Sequence, residues 1–390
     1  MKVTFVSNYI NHHQIPLSDV LYRNWGKDYC FIETQPMDEE RVRLGWNPDS
    51  SSIPYVLQYA KNPENAREII LESDIVIFGG VDDESYIKER LKEGKIVLRY
   101  MERLYKEGQW KAISPRGLIK KYQDHTRYKN APVYLLCAGG YVADDFNIIK
   151  AYKGKRFKWG YFPAFERSSA AERKTWKENN VIRILWAGRF IDWKHPESAL
   201  ITAEYLKSKG IEFKLTMAGG GDMEAELRDY VKEHNLEDCV EFPGFCSPEQ
   251  VRNMMKQSHI YLFTSDYKEG WGVVLNEAMN SGCAVVASHA IGAVPFLLTH
   301  NKNGLVYQSG NHRELAELTE LLCNDVKFRE QIGDEAYESI ADKWNSEYAG
   351  NEFVRLCEEL MREEICFRAE GPLSEAAVIK QRKMYKYLHQ

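Results

Sequence analysis

Two glutamates eight residues apart, Glu269 and Glu277, lie in the run EGWGVVLNEAMNSGCAVVAS (269–288) on either side of a Gly-rich turn. The turn, Glu269-Gly270-Trp271-Gly272, leads into a helical segment that breaks at Ser281-Gly282, and the apolar strand Ala284–Ala287 follows. First-turn amides of a helix lack partners and the helix dipole favours negative charge, so such a turn suits an anion. A diphosphate on the amides of Gly270, Trp271, Gly272 and Val273, with the carboxylates accepting from sugar hydroxyls on each side, is the layout needed to hold a nucleotide-sugar. Upstream, Ala187-Gly188-Arg189-Phe190 and then Lys194 follow a strand. Two cations at a strand mouth, with a glycine that admits backbone, can neutralise the charge that develops on a departing diphosphate. Ala218-Gly219-Gly220-Gly221-Asp222 ends the next strand, where glycines permit a tight turn beside a ligand.

The elements that must position these residues alternate along the chain. In the first part, Lys2–Ser7, Asp74–Phe78, Ile96–Tyr100 and Val133–Cys137 are β-branched and continuous, as buried parallel strands should be, with helical composition at Asn65–Glu72 and Glu84–Lys92. In the second, strands are predicted at Arg183–Ala187, Lys214–Ala218, Val240–Phe242, Ile260–Phe263 and Ala284–Ala287. Helices are predicted between them at Glu197–Ser208, Met223–His234, Pro248–Gln257 and Val274–Asn280. Two strand–helix series predict an α/β chain with two Rossmann-like domains. The polar, Pro-containing stretch Trp159–Asn179 reads as the linker. The expected division is 1–165, 166–345 and a C-terminal helical segment 346–390. In that segment Asp342–Met361 is one helix and, after Gly371-Pro372, Leu373–Leu388 is another.

Composition fits a globular protein of that size: 390 residues, 44% hydrophobic and 28% charged. No run of 18 apolar residues occurs, the start has no signal-peptide pattern, and the eight cysteines are scattered without metal-site spacing. The expectation is a cytoplasmic protein with reduced thiols and no metal. Asp82-Asp83-Glu84 and Asp144-Asp145 are read as helix N-terminal residues and not as metal ligands. The net charge of −5 hides thirteen Lys/Arg against five Asp/Glu between Met101 and Gly160.

The full run E-G-W-G, N-E-A-M, S-G-C-A-V-V-A-S with the later Ile291-Gly292-Ala293 resembles the retaining glycosyltransferases of family 4, also called glycosyl transferases group 1. The resemblance spans Ile182–Gly304; over the first 160 residues it is architectural only. It implies a GT-B fold, two Rossmann-like domains facing across a cleft, with the C-terminal helices crossing back to the N-terminal domain. It implies an NDP-sugar donor in the second domain and a glycan or lipid-linked acceptor on the side of the first. It further implies retention of anomeric configuration without metal or cofactor, in polysaccharide or glycolipid assembly. By resemblance, Arg189 and Lys194 take the diphosphate, Glu277 the ribose, Glu269 the donor sugar or charge near its anomeric carbon, and Gly188, Gly219 and Gly220 line the nucleotide site. Phe242-Pro243-Gly244-Phe245 neighbours the base. Trp271 stands where the family has Phe or another apolar residue and is read as packing. A nucleotide-sugar epimerase, a glycan phosphorylase and a non-catalytic nucleotide-sugar or glycan binder are the alternatives.

The first domain departs from the family. After its first strand it has Ser7-Asn8-Tyr9-Ile10-Asn11-His12-His13-Gln14 in place of a Gly-Gly pair. A histidine there can bind a sugar hydroxyl or take a proton. His13 is the one expected to face in, and a hydrogen-bonded loop histidine explains it equally. Where relatives carry a donor-contacting histidine, this chain reads Arg99-Tyr100-Met101-Glu102-Arg103, so Glu102 or Arg103 is the expected substitute; His125 is read as surface. Arg116–Lys129 interleaves Leu118, Ile119, Tyr122 and Tyr128 with cations. It reads either as a solvated face or as a peripheral contact with the anionic inner face of a membrane. Nucleic acid is not expected, since no recognition module accompanies it.

Overall fold

A computed structural model describes residues 1–37, 50–179 and 181–388. They form two compact units: Met1–Ala164 with Lys343–Ile379, and Phe165–Asp342 with the segment from Lys380.

The first unit is built on strands β1 (Val3–Ser7), β2 (Tyr29–Glu33), β3 (Val56–Gln58), β4 (Ile75–Gly79), β5 (Ile96–Met101), β6 (Val133–Ala138) and β7 (Arg156–Trp159). All are parallel, in the order β3-β2-β1-β4-β5-β6-β7, with Val3 opposite both Tyr29 and Ile75. β1, β4 and β6 are buried along their whole length, which is why continuous β-branched and apolar runs form them. The order reverses between β1 and β4, and the loops leaving those strands flank the switch point where open α/β sheets bind ligands. Helix Ile15–Trp25 follows β1, opened by Pro16 and closed by Gly26. Its buried Leu17, Val20 and Leu21 face helix Ser346–Met361, and a Cβ on Gly350 would come within 2.5 Å of Val20 Cγ1.

The second unit repeats the plan with β8 (Ile182–Ala187), β9 (Phe213–Ala218), β10 (Val240–Gly244), β11 (Ile260–Phe263), β12 (Ala284–Ser288) and β13 (Leu305–Tyr307). The order is β10-β9-β8-β11-β12-β13, again all parallel, so the switch falls between β8 and β11. Leu215, Met217, Ile260, Leu262 and Val286 lie in the core with Leu200 and Leu206 of helix Glu197–Ser208. Each set on the sheet faces a helix stripe of matching apolar character.

The expected strands and helices form, and β2, β3, β7 and β13 are additional; three of these four are edge strands and β2 lies next to one, where apolar runs are short. The polar stretch read as a linker folds in part: Ser169 and Glu172 make a capping box for helix Ala170–Trp176, and Arg173 pairs with Asp334 at 2.8 Å. The helix expected over Leu373–Leu388 forms only at Gln381–Leu388. Residues 373–376 instead run antiparallel along β7, with Leu373 N to Lys158 O at 2.8 Å and Ala376 N to Arg156 O at 3.0 Å. An edge strand left bare exposes a row of unpaired backbone groups, and covering it outweighs helix propensity there. The segment from Lys380, expected with the N-terminal domain, groups with the second unit: Met384 is buried, and the Tyr385 hydroxyl donates to Glu314.

Candidate functional site

The loops leaving β8 and β11 are sewn together across the switch point of the second unit. The indole N–H of Trp186 donates to Thr264 Oγ1 at 2.8 Å, and that hydroxyl donates to the Lys194 carbonyl at 2.6 Å. The Asp266 amide donates to the Trp193 carbonyl at 3.0 Å. These bonds set the backbone so that the Lys194 ammonium pairs with the Glu269 carboxylate, both side chains largely buried. The same Glu269 oxygen accepts from Ser265 Oγ at 3.0 Å, and the ammonium lies 4.7 Å from the Trp193 ring centroid. Residues 75 apart in sequence thus form one charged centre. Arg189, on the same loop, is exposed, and its carbonyl accepts from the Ile191 amide at 3.0 Å.

Behind the turn, Glu277 is buried on helix Val274–Asn280. Burial pushes its carboxyl pKa up to about 7, and the Arg252 guanidinium, 3.8 Å away, offsets that only in part. The turn is braced by the segment after β12: the amide of Gly292 donates to Glu269 O at 3.1 Å and that of Ala293 to Trp271 O at 3.0 Å. A Cβ on Gly292 would lie 1.7 Å from the Gly270 carbonyl oxygen, so only glycine permits this approach. Trp271 is buried, and its indole N–H donates to Asn276 Oδ1 at 2.9 Å, which makes it packing that fixes the helix start. Gly272 and Val273 complete the turn into that helix.

The glycine run after β9 has a structural cause of its own. A Cβ on Gly219, whose φ is 146°, would lie 1.8 Å from the Gly188 carbonyl oxygen. The Phe190 amide donates to Gly220 O at 2.9 Å, and Gly219 N donates to Gly244 O at 2.9 Å. Gly188, Gly219 and Gly220 therefore bring the backbones after β8, β9 and β10 into direct contact. Phe245, next along, is exposed.

Sequence reasoning passed over His195 and Asp266. His195 has left-handed backbone, φ 49°, and its ring stands between Asp266 at 3.6 Å and Glu197 at 3.0 Å. Those carboxylates hold its pKa up to about 10, so it is cationic at neutral pH and ties the Lys194 loop to the loop bearing Glu269. The available signal was adjacency: His195 follows Lys194, and Asp266 precedes Glu269 by three residues.

In the first unit, His13 lies between β1 and helix Ile15–Trp25, at the β1/β4 switch point. It is half-buried, its amide donates to Asn11 Oδ1 at 2.9 Å, and its ring centroid is 3.8 Å from that of His12. Glu33 shapes the same loop by accepting from the Ile10 amide at 2.9 Å. Arg103 forms a buried pair with Asp145, 3.3 Å apart, while Glu102 pairs with Lys106 and accepts from Tyr161 Oη at 3.1 Å. His125 is not on the surface: it is buried against Phe146, with Nδ1 3.1 Å from Tyr152 Oη. Burial lowers its pKa well below the ordinary value. Of the acidic residues, Asp83 caps Ser85 at 2.9 Å, and Asp144 and Asp145 stand in the first turn of helix Val142–Ile148.

The fold and site define a class, two Rossmann-like units with a charged centre at the switch point of the second. Solved structures of GT-B glycosyltransferases share the fold. The structure of Anabaena Alr3699/HepE in complex with UDP superposes with a TM-score of 0.69 over 92% of this chain and 100% of that one, at 16% identity. Sucrose-phosphate synthase from Thermosynechococcus elongatus gives 0.62 over 93% and 100%, at 17% identity. At the sequence level, residues 168–339 match the family model "Glycosyl transferases group 1". The amylovoran biosynthesis glycosyltransferase AmsK of Erwinia amylovora is 34% identical over 142 residues, 35% of each chain. The putative colanic acid biosynthesis glycosyltransferase WcaL of Escherichia coli K12 is 28% identical over 185 residues, 46% of this chain and 45% of that one. The matches thus span less than half the length of these curated relatives.

Proposed function

We propose that this protein is a glycosyltransferase that moves a sugar from an NDP-sugar to a hydroxyl of a glycan or lipid-linked acceptor, with retention of anomeric configuration, in polysaccharide assembly. The observation that carries the reading is the Lys194–Glu269 pair at the switch point, with buried Glu277 behind it. The group 1 family match over the same unit and the polysaccharide-related names of the relatives support it.

The donor diphosphate sits on the turn at Gly270–Val273. Arg189 and Lys194 stabilise the charge that accumulates as the glycosidic bond to phosphate breaks. Glu269 holds the Lys194 ammonium in place and presents its second oxygen to the donor sugar. Glu277 accepts from the ribose hydroxyls; ionised, it takes both, and its raised pKa makes donor affinity increase as pH rises through about 7. His13, at the switch point of the first unit, receives the acceptor hydroxyl. The chemistry needs no metal, because the two cations carry the charge that a divalent ion would otherwise take.

The test is a panel of NDP-sugars read by thermal shift and slow donor hydrolysis, with wild type and Glu277→Ala side by side. One NDP-sugar that raises the Tm of the wild type, is slowly hydrolysed, and loses both effects in the variant is the expected result. Stabilisation by no nucleotide or nucleotide-sugar would overturn the reading. Hydrolysis of a bound donor also separates an enzyme from a non-catalytic binder of the same ligand.

A further inference from the structure

Five of the twelve large hydrophobic side chains exposed among the described residues fall between Trp110 and Tyr122. Trp110 is 69% exposed, Ile113 79%, Ile119 58% and Tyr122 59%, with Leu118 beside them. They belong to two short elements of the first unit, the 3₁₀ turn Gln109–Ile113 and helix Pro115–Asp124. The helix is well made: Ser114 accepts from the Gly117 amide, and Pro115 occupies the first position. Yet neither element buries a single residue. A ten-residue helix is marginal in water on its own, and helices normally gain stability by covering an apolar stripe. Here the stripe points away from the protein.

Charge says what covers it. Between Gln109 and Lys129 there are six Lys/Arg and one Asp, and that Asp124 is paired with Lys120 at 2.8 Å. Lys111, Arg116, Lys120 and Arg127 are all exposed, and Lys111 Nζ lies 5.7 Å from the Trp110 ring centroid. Nucleic acid would use the cations but gains little from Ile113, Leu118 and Ile119. An anionic bilayer uses both sets, with cations on headgroups, aliphatic side chains at the acyl boundary, and an indole at the interface between them. No helix among the described residues is long and apolar enough to cross a membrane, so the contact is one of lying on the surface.

We propose that the face made by Trp110, Ile113, Leu118, Ile119 and Tyr122, ringed by Lys111, Arg116, Lys120 and Arg127, docks on an anionic lipid surface. Trp110 and Ile113 lie outside the basic helix that the sequence marks, and they turn a charged helix into a wedge with an apolar tip. The inference does not rest on the transferase reading, since lipid binding is measured without donor or acceptor.

The experiment is flotation of the full chain with vesicles of mixed phosphatidylcholine and phosphatidylglycerol, against vesicles of phosphatidylcholine alone. Binding is expected to the mixed vesicles only, and to weaken with added salt. Trp110→Ala with Ile113→Ala should lower partitioning about tenfold or more, since two side chains leave the acyl boundary. Lys120→Gln and Arg127→Gln should each cost about fivefold, the effect of one basic residue near an anionic surface. Because these side chains are exposed, Tm should be unchanged in every variant. Absence of flotation, equal binding to both vesicle types, or variants that bind as wild type would overturn the proposal. So would a wild-type dimer in the absence of lipid that the Trp110/Ile113 variant dissociates, for then a second copy covers the face.

Discussion

Both sheets reverse strand order once, and the two reversals are built differently. Between β8 and β11 the loops are tied across the gap: Trp186 to Thr264, Thr264 to Lys194, Asp266 to Trp193, and Lys194 to Glu269. Between β1 and β4 the loop carrying His13 is tied backward to the neighbouring strand instead, Ile10 to Glu33 and the Gln35 amide to the Asn8 carbonyl at 3.0 Å. The second arrangement holds a loop; the first holds a pair of opposite charges at fixed separation. Under the proposed function the contrast has a use: holding a diphosphate demands charge, whereas selecting a hydroxyl-bearing acceptor demands shape.

Lys194→Ala tests the contrast hardest. Removing the ammonium leaves Glu269 without its cation and the diphosphate with only Arg189, and kcat/KM should fall on the order of 10³-fold, about 4 kcal/mol. Steady-state transfer assays measure it, and a loss under tenfold would remove the charged centre from the reaction. Next is Glu277→Gln. The folded wild type keeps a proton up to about pH 7 that the unfolded chain releases near 4.5, so its stability falls with pH across that window and levels off above it. The variant lacks the fall, and at pH 8 should be more stable by up to about 3 kcal/mol, with little difference at pH 4.5. Calorimetry at both pH values, with donor thermal shift alongside, should show stability gained and donor binding lost in the same protein. The smallest effect is expected for His13→Ala, about tenfold on acceptor-dependent transfer. Its donor thermal shift should match wild type, and a lost donor response would erase the division of labour between the two switch points.

The same contrast explains what was legible. Glu269 stands out in sequence because it opens a Gly-rich turn, Glu277 because it follows eight residues later on the next helix, and Lys194 because it follows Gly188-Arg189 at a strand mouth. Their meeting was not legible, since it depends on β8 and β11 being neighbours although β9 and β10 lie between them in sequence. His195 escaped notice because its role comes from a left-handed backbone that places it between Asp266 and Glu197. The burial of His125 was hidden for a related reason: its ring packs on Phe146 and meets the buried Tyr152 hydroxyl, and neither partner is near in sequence. The glycines after β9 were read as room for a ligand, yet Gly219 meets the Gly188 backbone, a contact that only the folded sheet creates. Residues 373–376 carry no strand signal at all; the open edge of β7 recruits them.

The helix Ser346–Met361 that covers Leu17, Val20 and Leu21 has a consequence for biosynthesis. The stripe it covers leaves the ribosome before every strand of the second unit, and its cover follows more than three hundred residues later. At roughly 5–20 residues per second the delay is roughly 20–60 s. All six strands of the second unit emerge within it. The unit translated first therefore lacks its cover until every strand of the second has emerged, and a chain truncated near Asp342 would leave that stripe bare as a target for chaperones and proteases, while all strands of the second sheet are already in hand.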